Sequence, residues 1–290
     1  MIIKKRNKFL NKIIIGSAQL KDGYGLSNSR VTKSELFQIL NFAKKNKIQF
    51  IDTAQIYGKS EIKIGKEKNN KLKIISKIFL NHNTLENPEK WFRNQFNKTS
   101  NNLKSKNIYA MLNHNPTFLF KKKEIFQYFV KLKKLNLVKK IGFSIYTEQE
   151  LIFILNNFKF DIVQLPYSIF DRRLENYFKI LKNRKIKIHC RSIFLQGLLV
   201  NSKYQKKKYF LKWKNTFDKF NTWIENNTPN NLSACLSFVF TNKYLDKILI
   251  GVNTKKNLEE ILSTKIDKKT IFPNFGTKDK RLLNPVYWKI

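Results

Sequence analysis

Short, continuously apolar segments alternate with longer amphipathic segments along the whole chain. KIIIGSA (12–18) and KIISKI (73–78) are apolar at most positions, as are strands that are buried on both faces. SELFQILNFAKKNK (34–47) instead repeats its apolar residues every three or four positions, which predicts a helix. The pattern predicts strands at 12–18, 49–54, 73–78, 108–114, 139–145, 160–168, 185–192 and 246–252.

Helices are predicted between these strands, at 34–47, 60–67, 88–103, 122–135, 147–157, 174–184 and 254–262. Strands that alternate with helices over short connections form right-handed βαβ units with a parallel sheet. A chain of 290 residues has room for about eight such units. We therefore predict an α/β fold, a (β/α)₈ TIM barrel, as one domain over residues 1–290.

An open, doubly wound sheet is the alternative fold. It favours a glycine-rich phosphate loop directly after the first strand. The segment GSAQLKDGYG (16–25) lacks the G-x-G-x-x-G spacing and does not lead straight into a helix. The barrel is therefore the preferred prediction.

The segment 202–229 departs from the alternation and is predicted to be a helical excursion. Trp213, Phe217, Phe220 and Ile224 recur at helical spacing, which gives it one apolar face. Such a face either packs on the barrel or closes over its mouth as a lid. Packing is the more common role of an apolar helical face, and we expect it here.

The charge is strongly positive, with 58 Lys and Arg against 20 Asp and Glu, a formal net charge of +38. One interpretation is a surface for nucleic acid or anionic membrane. The other is compositional drift, because lysine is spread evenly and asparagine, isoleucine and phenylalanine are enriched with it. No zinc-ligand spacing, RNP-like motif or basic heptad is present, so no nucleic-acid partner is expected. A positive surface would still attract an anionic substrate or a phosphate-bearing cofactor.

Cysteine usage and hydropathy indicate a cytoplasmic protein. Cys190 and Cys235 are the two cysteines and form neither a disulfide framework nor a metal-ligand pair. The basic N-terminus has too short an apolar run for a secretory signal, and no stretch is long enough to cross a bilayer. We expect no membrane association, and the sequence leaves the oligomeric state open.

Four residues with proton-transfer chemistry follow successive predicted strands. Asp52 and Tyr57 lie in IDTAQIYGKSE (51–61), Lys77 lies in KIISKI, and His114 ends the fourth strand. In a parallel barrel all strands deliver their carboxyl ends to one face. There a lysine ammonium would lower the pKa of the phenol, the aspartate would hold the lysine, and a neutral histidine would orient a carbonyl.

Each of these residues alone has a structural explanation. Asp52 could cap a helix, and Lys77 could be a solvated surface charge. Tyr57 could be an aromatic residue of a loop, and His114 could be a core residue with its hydrogen bonds made within the protein. Their arrangement on successive strand ends favours a shared site. The chain has three histidines, which lack metal-ligand spacing, so no metal site is predicted.

With IDTAQIYGKSE, KIISKI and LNHNP in this order, the chain resembles the aldo-keto reductase family from Ile13 to Leu262. The resemblance implies a barrel that binds NADPH or NADH without a Rossmann domain. It assigns the catalytic tetrad to Asp52, Tyr57, Lys77 and His114. Hydride would pass from the nicotinamide to an aldehyde or ketone substrate, with Tyr57 as the proton donor.

The resemblance also implies the cofactor contacts. Ser144 and Gln164 would hold the carboxamide, and Arg191 would stack on the nicotinamide in place of the usual aromatic. The remaining contacts would be Gly16 and Ser17 at the ribose, Ser192, Phe194 and Gly197 at the pyrophosphate, and Gly251, Asn253 and Asn257 at the adenosine.

Departures from the family pattern affect specificity. Ile145 replaces an asparagine that often contacts the carboxamide, and Asn257 replaces an arginine that commonly binds the 2′-phosphate. Lys255 and Lys256 are near enough to substitute, so NADPH is expected, with NADH as the alternative. The RSIFLQGLL segment (191–199) resembles that of short reductases in sugar and surface-polysaccharide pathways, which points to a sugar-like carbonyl. The other function left open is a catalytically weak, nicotinamide-binding regulatory or partner subunit on the same fold.

Overall fold

The predicted (β/α)₈ barrel is confirmed. A computed structural model of the chain describes residues 9–21, 23–26, 30–67, 72–105 and 108–289. Eight parallel strands follow one another around a closed barrel, and the first pairs with the last, Ile13 opposite Ile248. The strands are β1 (Ile13–Gly16), β2 (Phe50–Asp52), β3 (Lys73–Ile78), β4 (Ile108–Asn113), β5 (Val138–Ser144), β6 (Ile162–Pro166), β7 (Lys187–Arg191) and β8 (Lys247–Gly251).

The helices surround this barrel, and the predicted ones are all present. Thr147, for example, starts one of them with a capping box, in which Glu150 accepts the Thr147 backbone N–H at 2.9 Å. No helix in the described ranges is long and apolar enough to cross a membrane. The helices are α1 (Lys33–Lys45), α2 (Ser60–Gly65), α3 (Pro88–Leu103), α4 (Gln127–Lys134), α5 (Glu148–Asn157), α6 (Phe178–Asn183), α7 (Ser202–Gln205), α8 (Lys214–Asn227), α9 (Asn231–Thr241), α10 (Lys255–Ser263) and α11 (Lys280–Leu283).

The predicted excursion at 202–229 consists of α7, a 3₁₀ turn and α8. Phe217, Phe220 and Ile224 are buried, and the rings of Phe217 and Phe220 lie 5.9 and 5.1 Å from that of Phe170. Trp213 precedes α8 and is only partly buried. The apolar face of helix α8 therefore packs against the loop that follows β6, in agreement with the expected packing role.

Helix α9 was not predicted as a separate element. Its residues 233–239 are all buried, so it has no polar face. Without a polar face, the sequence lacks the apolar periodicity that identifies a surface helix. The run NLSACLSFVFT is equally compatible with a buried strand.

The barrel interior has an apolar layer with a polar layer directly above it. The apolar layer consists of Ile14, Phe50, Ile75, Ala110, Leu112, Ile162 and Leu249. Side chains two positions apart on a strand point to the same face. The positions two residues further along six of the strands are Gly16, Asp52, Lys77, His114, Gln164 and Gly251. Asp52, Lys77 and His114 thus lie just above the apolar layer, at the carboxyl ends of the strands.

Candidate active site

Asp52 and Lys77 form a buried ion pair across β2 and β3. The Lys77 ammonium contacts Asp52 Oδ1 and donates to the Thr53 carbonyl at 2.9 Å. The second carboxylate oxygen of Asp52 accepts from Gln164 Nε2 at 2.8 Å, across the barrel from β6. Burial lowers the pKa of Lys77, and the Asp52 charge opposes that shift. Asp52 therefore both positions the ammonium and favours its charged form.

Tyr57 lies in the loop between β2 and α2, directly beside this pair. The Lys77 Nζ atom lies 5.2 Å from the centre of the phenol ring. The expected lowering of the phenol pKa is wrong for this structure. Burial raises the pKa of Tyr57, and the negative charge of Asp52 raises it further, while Arg191 opposes both. The phenol therefore holds its proton at neutral pH, which suits a proton donor.

His114 lies directly after β4 and faces the same phenol. Its ring centre is 5.8 Å from that of Tyr57, with the two rings nearly perpendicular at 81°. Burial and the positive charges of Lys77 and Arg191 lower the pKa of His114 well below its usual value. Its Nδ1 atom is buried and has no partner among the described residues. A neutral imidazole can hydrogen-bond a carbonyl oxygen without carrying charge.

The site opens into a cavity of about 560 Å³ at the carboxyl ends of the strands. Asp52, Tyr57 and His114 line it, while Lys77 is buried beneath them. Ser144, predicted to contact the cofactor, is buried at the end of β5 and does not line the cavity. The other predicted cofactor residues all line it: Gly16, Ser17, Gln164, Arg191, Ser192, Phe194, Gly197, Gly251, Asn253 and Asn257.

Besides His114 Nδ1, three buried polar atoms of residues in the cavity wall have no hydrogen-bond partner among the described residues. They are Ser17 Oγ, Gln19 Oε1 and Gln164 Oε1. Burying a polar group without a partner costs free energy, so such groups are usually satisfied. Two amide oxygens and a hydroxyl fit a ligand with N–H and O–H donors, as a nicotinamide carboxamide and its ribose have.

The loop after β7 has an unusual backbone conformation. Ser192, Leu195, Gln196 and Gly197 have φ values of 60°, 44°, 54° and 96°, in the left-handed region. Non-glycine residues in this region are strained, and such strain concentrates at ligand-binding sites. Successive N–H groups in turns of this kind can form a concave site for an anion. The conformation is compatible with the predicted pyrophosphate contact.

Arg191 reaches across the barrel mouth from the end of β7. Its guanidinium lies over the Tyr146 ring, 3.8 Å from the ring centre, and donates to the Ile145 carbonyl at 2.8 Å. The expected stacking position is therefore occupied by a fixed guanidinium, one face of which is covered by Tyr146. Whether its other face takes the nicotinamide stays a prediction.

Sequence reasoning missed several residues that line the cavity. Tyr24, Tyr146 and Gln196 contribute side chains to its wall, and Gln19 lies against β8. A Cβ atom at Gly251 would lie 1.5 Å from Gln19 Nε2, so the glycine makes room for this amide. Tyr146 directly follows the fifth strand and could have been found by position. Tyr24 and Gln196 come from irregular loops, where no periodic signal exists.

Comparisons with known proteins agree with the barrel. Similar solved structures include an aldo-keto reductase from Bacillus halodurans in its holo form (TM-score 0.74, 15% identity, covering 87% of this chain and 86% of that one). A putative aldo-keto reductase from Pseudomonas aeruginosa has a TM-score of 0.67 and 16% identity, over 89% and 91% of the two chains. A glycerol dehydrogenase from Gluconobacter oxydans has a TM-score of 0.63 and 16% identity, over 90% and 94%. At such identities these likenesses concern the fold.

The sequence comparisons identify the family. No curated protein sequence matches the chain. The family model described as "Aldo/keto reductase family" matches residues 12–269, which include all eight strands and the four candidate catalytic residues. The chain therefore belongs to the aldo/keto reductase family and is an NAD(P)H-dependent oxidoreductase.

Proposed function

We propose that this protein reduces an aldehyde or ketone to an alcohol, with Tyr57 as the proton donor and NADPH as the preferred cofactor. The observation that carries the proposal is the buried Asp52–Lys77 pair beside Tyr57, with neutral His114 facing the same ring. Together these groups offer a proton and a neutral hydrogen-bond donor to one carbonyl oxygen.

Each residue has a separate task in the reduction. A bound reduced nicotinamide supplies the hydride to the carbonyl carbon. Tyr57 donates its O–H to the carbonyl oxygen, and His114 orients that oxygen. The Lys77 ammonium, 5.2 Å from the phenol ring, stabilises the phenolate that remains. Asp52 keeps the ammonium in place.

The residues that line the cavity fit a nicotinamide cofactor. Ser17 and Gln164 would hold the nicotinamide end, because their unpartnered oxygens can accept its N–H and O–H groups. Ser192, Phe194 and Gly197 would hold the pyrophosphate at the left-handed loop. Gly251, Asn253 and Asn257 would hold the adenosine end.

The preference for NADPH rests on Lys256. Lys255 already pairs with Glu259, with a distance of 3.0 Å between Nζ and Oε1. Lys256 is exposed beside Asn257, which lines the cavity. We assign its ammonium to the 2′-phosphate, where it acts as a point charge without bidentate geometry.

A hydroxylated, sugar-like carbonyl is the proposed substrate class. The cavity wall carries hydroxyl and amide groups from Tyr24, Gln196 and Asn201, and these groups can hydrogen-bond a polyhydroxylated chain. Asn284 adds a further amide near the mouth. An assay panel of aldoses beside alkyl aldehydes of matched chain length would test this class; equal rates across the panel would contradict it.

The central experiment compares Tyr57→Phe with the matched control Tyr128→Phe. Tyr128 lies on α4, where its ring stacks on Phe92, away from the cavity. We expect Tyr57→Phe to lose about 10²-fold or more in turnover, with cofactor affinity retained in a fluorescence titration. The control should retain both.

Two outcomes would contradict the proposal. Near-normal turnover in Tyr57→Phe would mean that another group donates the proton. Cofactor binding without turnover of any aldehyde by the wild-type protein would favour the regulatory or partner-subunit function instead.

A further inference from the structure

Arg191 places a positive charge on the cavity wall that no carboxylate neutralises in the described part of the chain. It lies at the end of β7, lines the cavity and is only partly buried. No ion pair among the described residues includes it, whereas the nearby Lys77 is paired with Asp52. Because His114 is neutral, the reacting end of the cavity has an uncompensated positive charge.

This charge is directed at the reacting groups. The positive charge of Arg191 lowers the pKa of both Tyr57 and His114, in opposition to burial at the phenol and together with burial at the imidazole. Arg191 therefore lies close enough to interact electrostatically with the two side chains that would receive the carbonyl oxygen. A ligand bound there would sit beside the reacting carbonyl.

The guanidinium is held rigidly and retains donors for a ligand. Nη2 donates to the Ile145 carbonyl at 2.8 Å, Nη1 approaches Ser192 Oγ at 3.4 Å, and Tyr146 covers one face. A guanidinium has five N–H groups. These two contacts leave the other N–H groups without a protein acceptor in the described ranges. A fixed fork of donors suits a planar, two-oxygen acceptor.

We propose that Arg191 binds a carboxylate of the substrate, so that the preferred substrate is a carbonyl compound that also carries an acid group, such as an aldehydic sugar acid. This inference rests on the proposed carbonyl reduction. Binding uses the N–H edge of the guanidinium, whereas stacking uses its face, so the two roles do not compete. The formal net charge of +38 would also attract an anionic substrate.

Matched substrate pairs test the inference. Succinate semialdehyde and butanal share a four-carbon aldehyde chain and differ in the terminal carboxylate, and glucuronate and glucose differ in the same way. We expect the wild-type protein to favour the acidic member of each pair in kcat/KM. Arg191→Met should reduce kcat/KM for the acidic members by about 10–100-fold more than it reduces kcat/KM for butanal and glucose.

Two further variants give controls. Arg191→Lys keeps the charge without the planar fork and should give an intermediate loss. Lys203→Met removes an exposed cation next to Tyr204, a residue of the cavity wall, and should leave the acidic preference intact. If Arg191→Met does not fold, succinate binding to the NADPH-loaded wild-type protein, measured by calorimetry, tests the same site, and we expect succinate to compete with butanal.

The outcomes separate this inference from the proposed function. Equal losses of kcat/KM for acidic and neutral substrates, together with weaker NADPH binding in Arg191→Met, would mean that Arg191 binds a cofactor phosphate. That result would overturn the inference. An active reductase with no acidic preference, or no succinate binding, would also overturn it. Arg191-dependent succinate binding without any turnover would support the inference and count against carbonyl reduction.

Discussion

Replacing Lys77 with methionine tests the buried ion pair at the centre of the site. The substitution keeps the length of the side chain and removes two contacts, one with Asp52 and one with the Thr53 carbonyl. It leaves the carboxylate of Asp52 buried with one hydrogen bond, from Gln164. Breaking a buried pair in this way costs about 3–5 kcal/mol of stability.

Protonation of the remaining carboxylate limits that loss. From an ordinary aspartate pKa of about 3.9, taking up a proton costs about 4 kcal/mol at pH 7 and about 1.5 kcal/mol at pH 5. The destabilisation of Lys77→Met relative to wild type should therefore shrink as the pH falls. The double variant Asp52→Asn with Lys77→Met leaves no buried charge, so we expect it to lose only about 1–2 kcal/mol.

Urea unfolding followed by tryptophan fluorescence at pH 7 and pH 5 measures these differences. The two single variants and the double variant complete a cycle that isolates the coupling between Asp52 and Lys77. We expect a coupling of about 2 kcal/mol or more. We would reject this explanation if the stability losses of the two single variants added up to that of the double variant. We would also reject it if Lys77→Met lost the same free energy of unfolding at pH 7 and pH 5.

Three other predictions concern stability and cofactor choice. Burial lowers the pKa of His189 to about 3. Below about pH 6.5 the unfolded chain therefore binds a proton at this histidine that the folded chain does not bind. The free energy of unfolding should fall by about 2 kcal/mol between pH 7 and pH 5 for this reason. His189→Gln should remove that acid sensitivity in urea titrations, and an unchanged pH profile would contradict the assignment. Gly142→Ala should destabilise the fold by about 1–3 kcal/mol, because its Cβ would lie 1.9 Å from a backbone oxygen of the neighbouring strand. Gly251→Ala should destabilise the fold less in the same assay, since its added Cβ meets the end of the flexible Gln19 side chain. A larger loss of stability for Gly251→Ala than for Gly142→Ala would contradict this packing argument. Lys256→Met should weaken binding of NADPH and leave that of NADH unchanged, and an equal loss for both cofactors would reject its 2′-phosphate role.

The barrel could be predicted because its strands are buried on both faces. Continuous apolar runs such as 73–78 identify these strands, and the parallel arrangement places their carboxyl ends together. The positions of the strands alone therefore predict that Asp52, Lys77 and His114 lie together at one end of the barrel. Helix α9 escaped prediction because burial on all sides removes its periodicity.

The details of the site depend on directions and burial that a linear pattern does not contain. The pKa of Tyr57 was expected to fall because Lys77 is near, but the phenol is buried and Asp52 is close to it. Ser144, predicted to contact the cofactor, ends β5 without lining the cavity. Tyr146 stacks on Arg191, a contact set by how the loop after β5 meets the end of β7.

The apolar layer under Asp52, Lys77 and His114 has a consequence for proton supply. Side chains including Phe50, Leu112 and Ile162 seal the barrel axis below the polar layer. In the described part of the chain, the open end of the barrel is then the route by which water reaches the phenol, and a ligand enters by the same end. If Tyr57 donates its proton to the carbonyl oxygen, as we propose, the phenol regains a proton between turnovers, after the product has left, because proton supply and ligand exchange use the same opening.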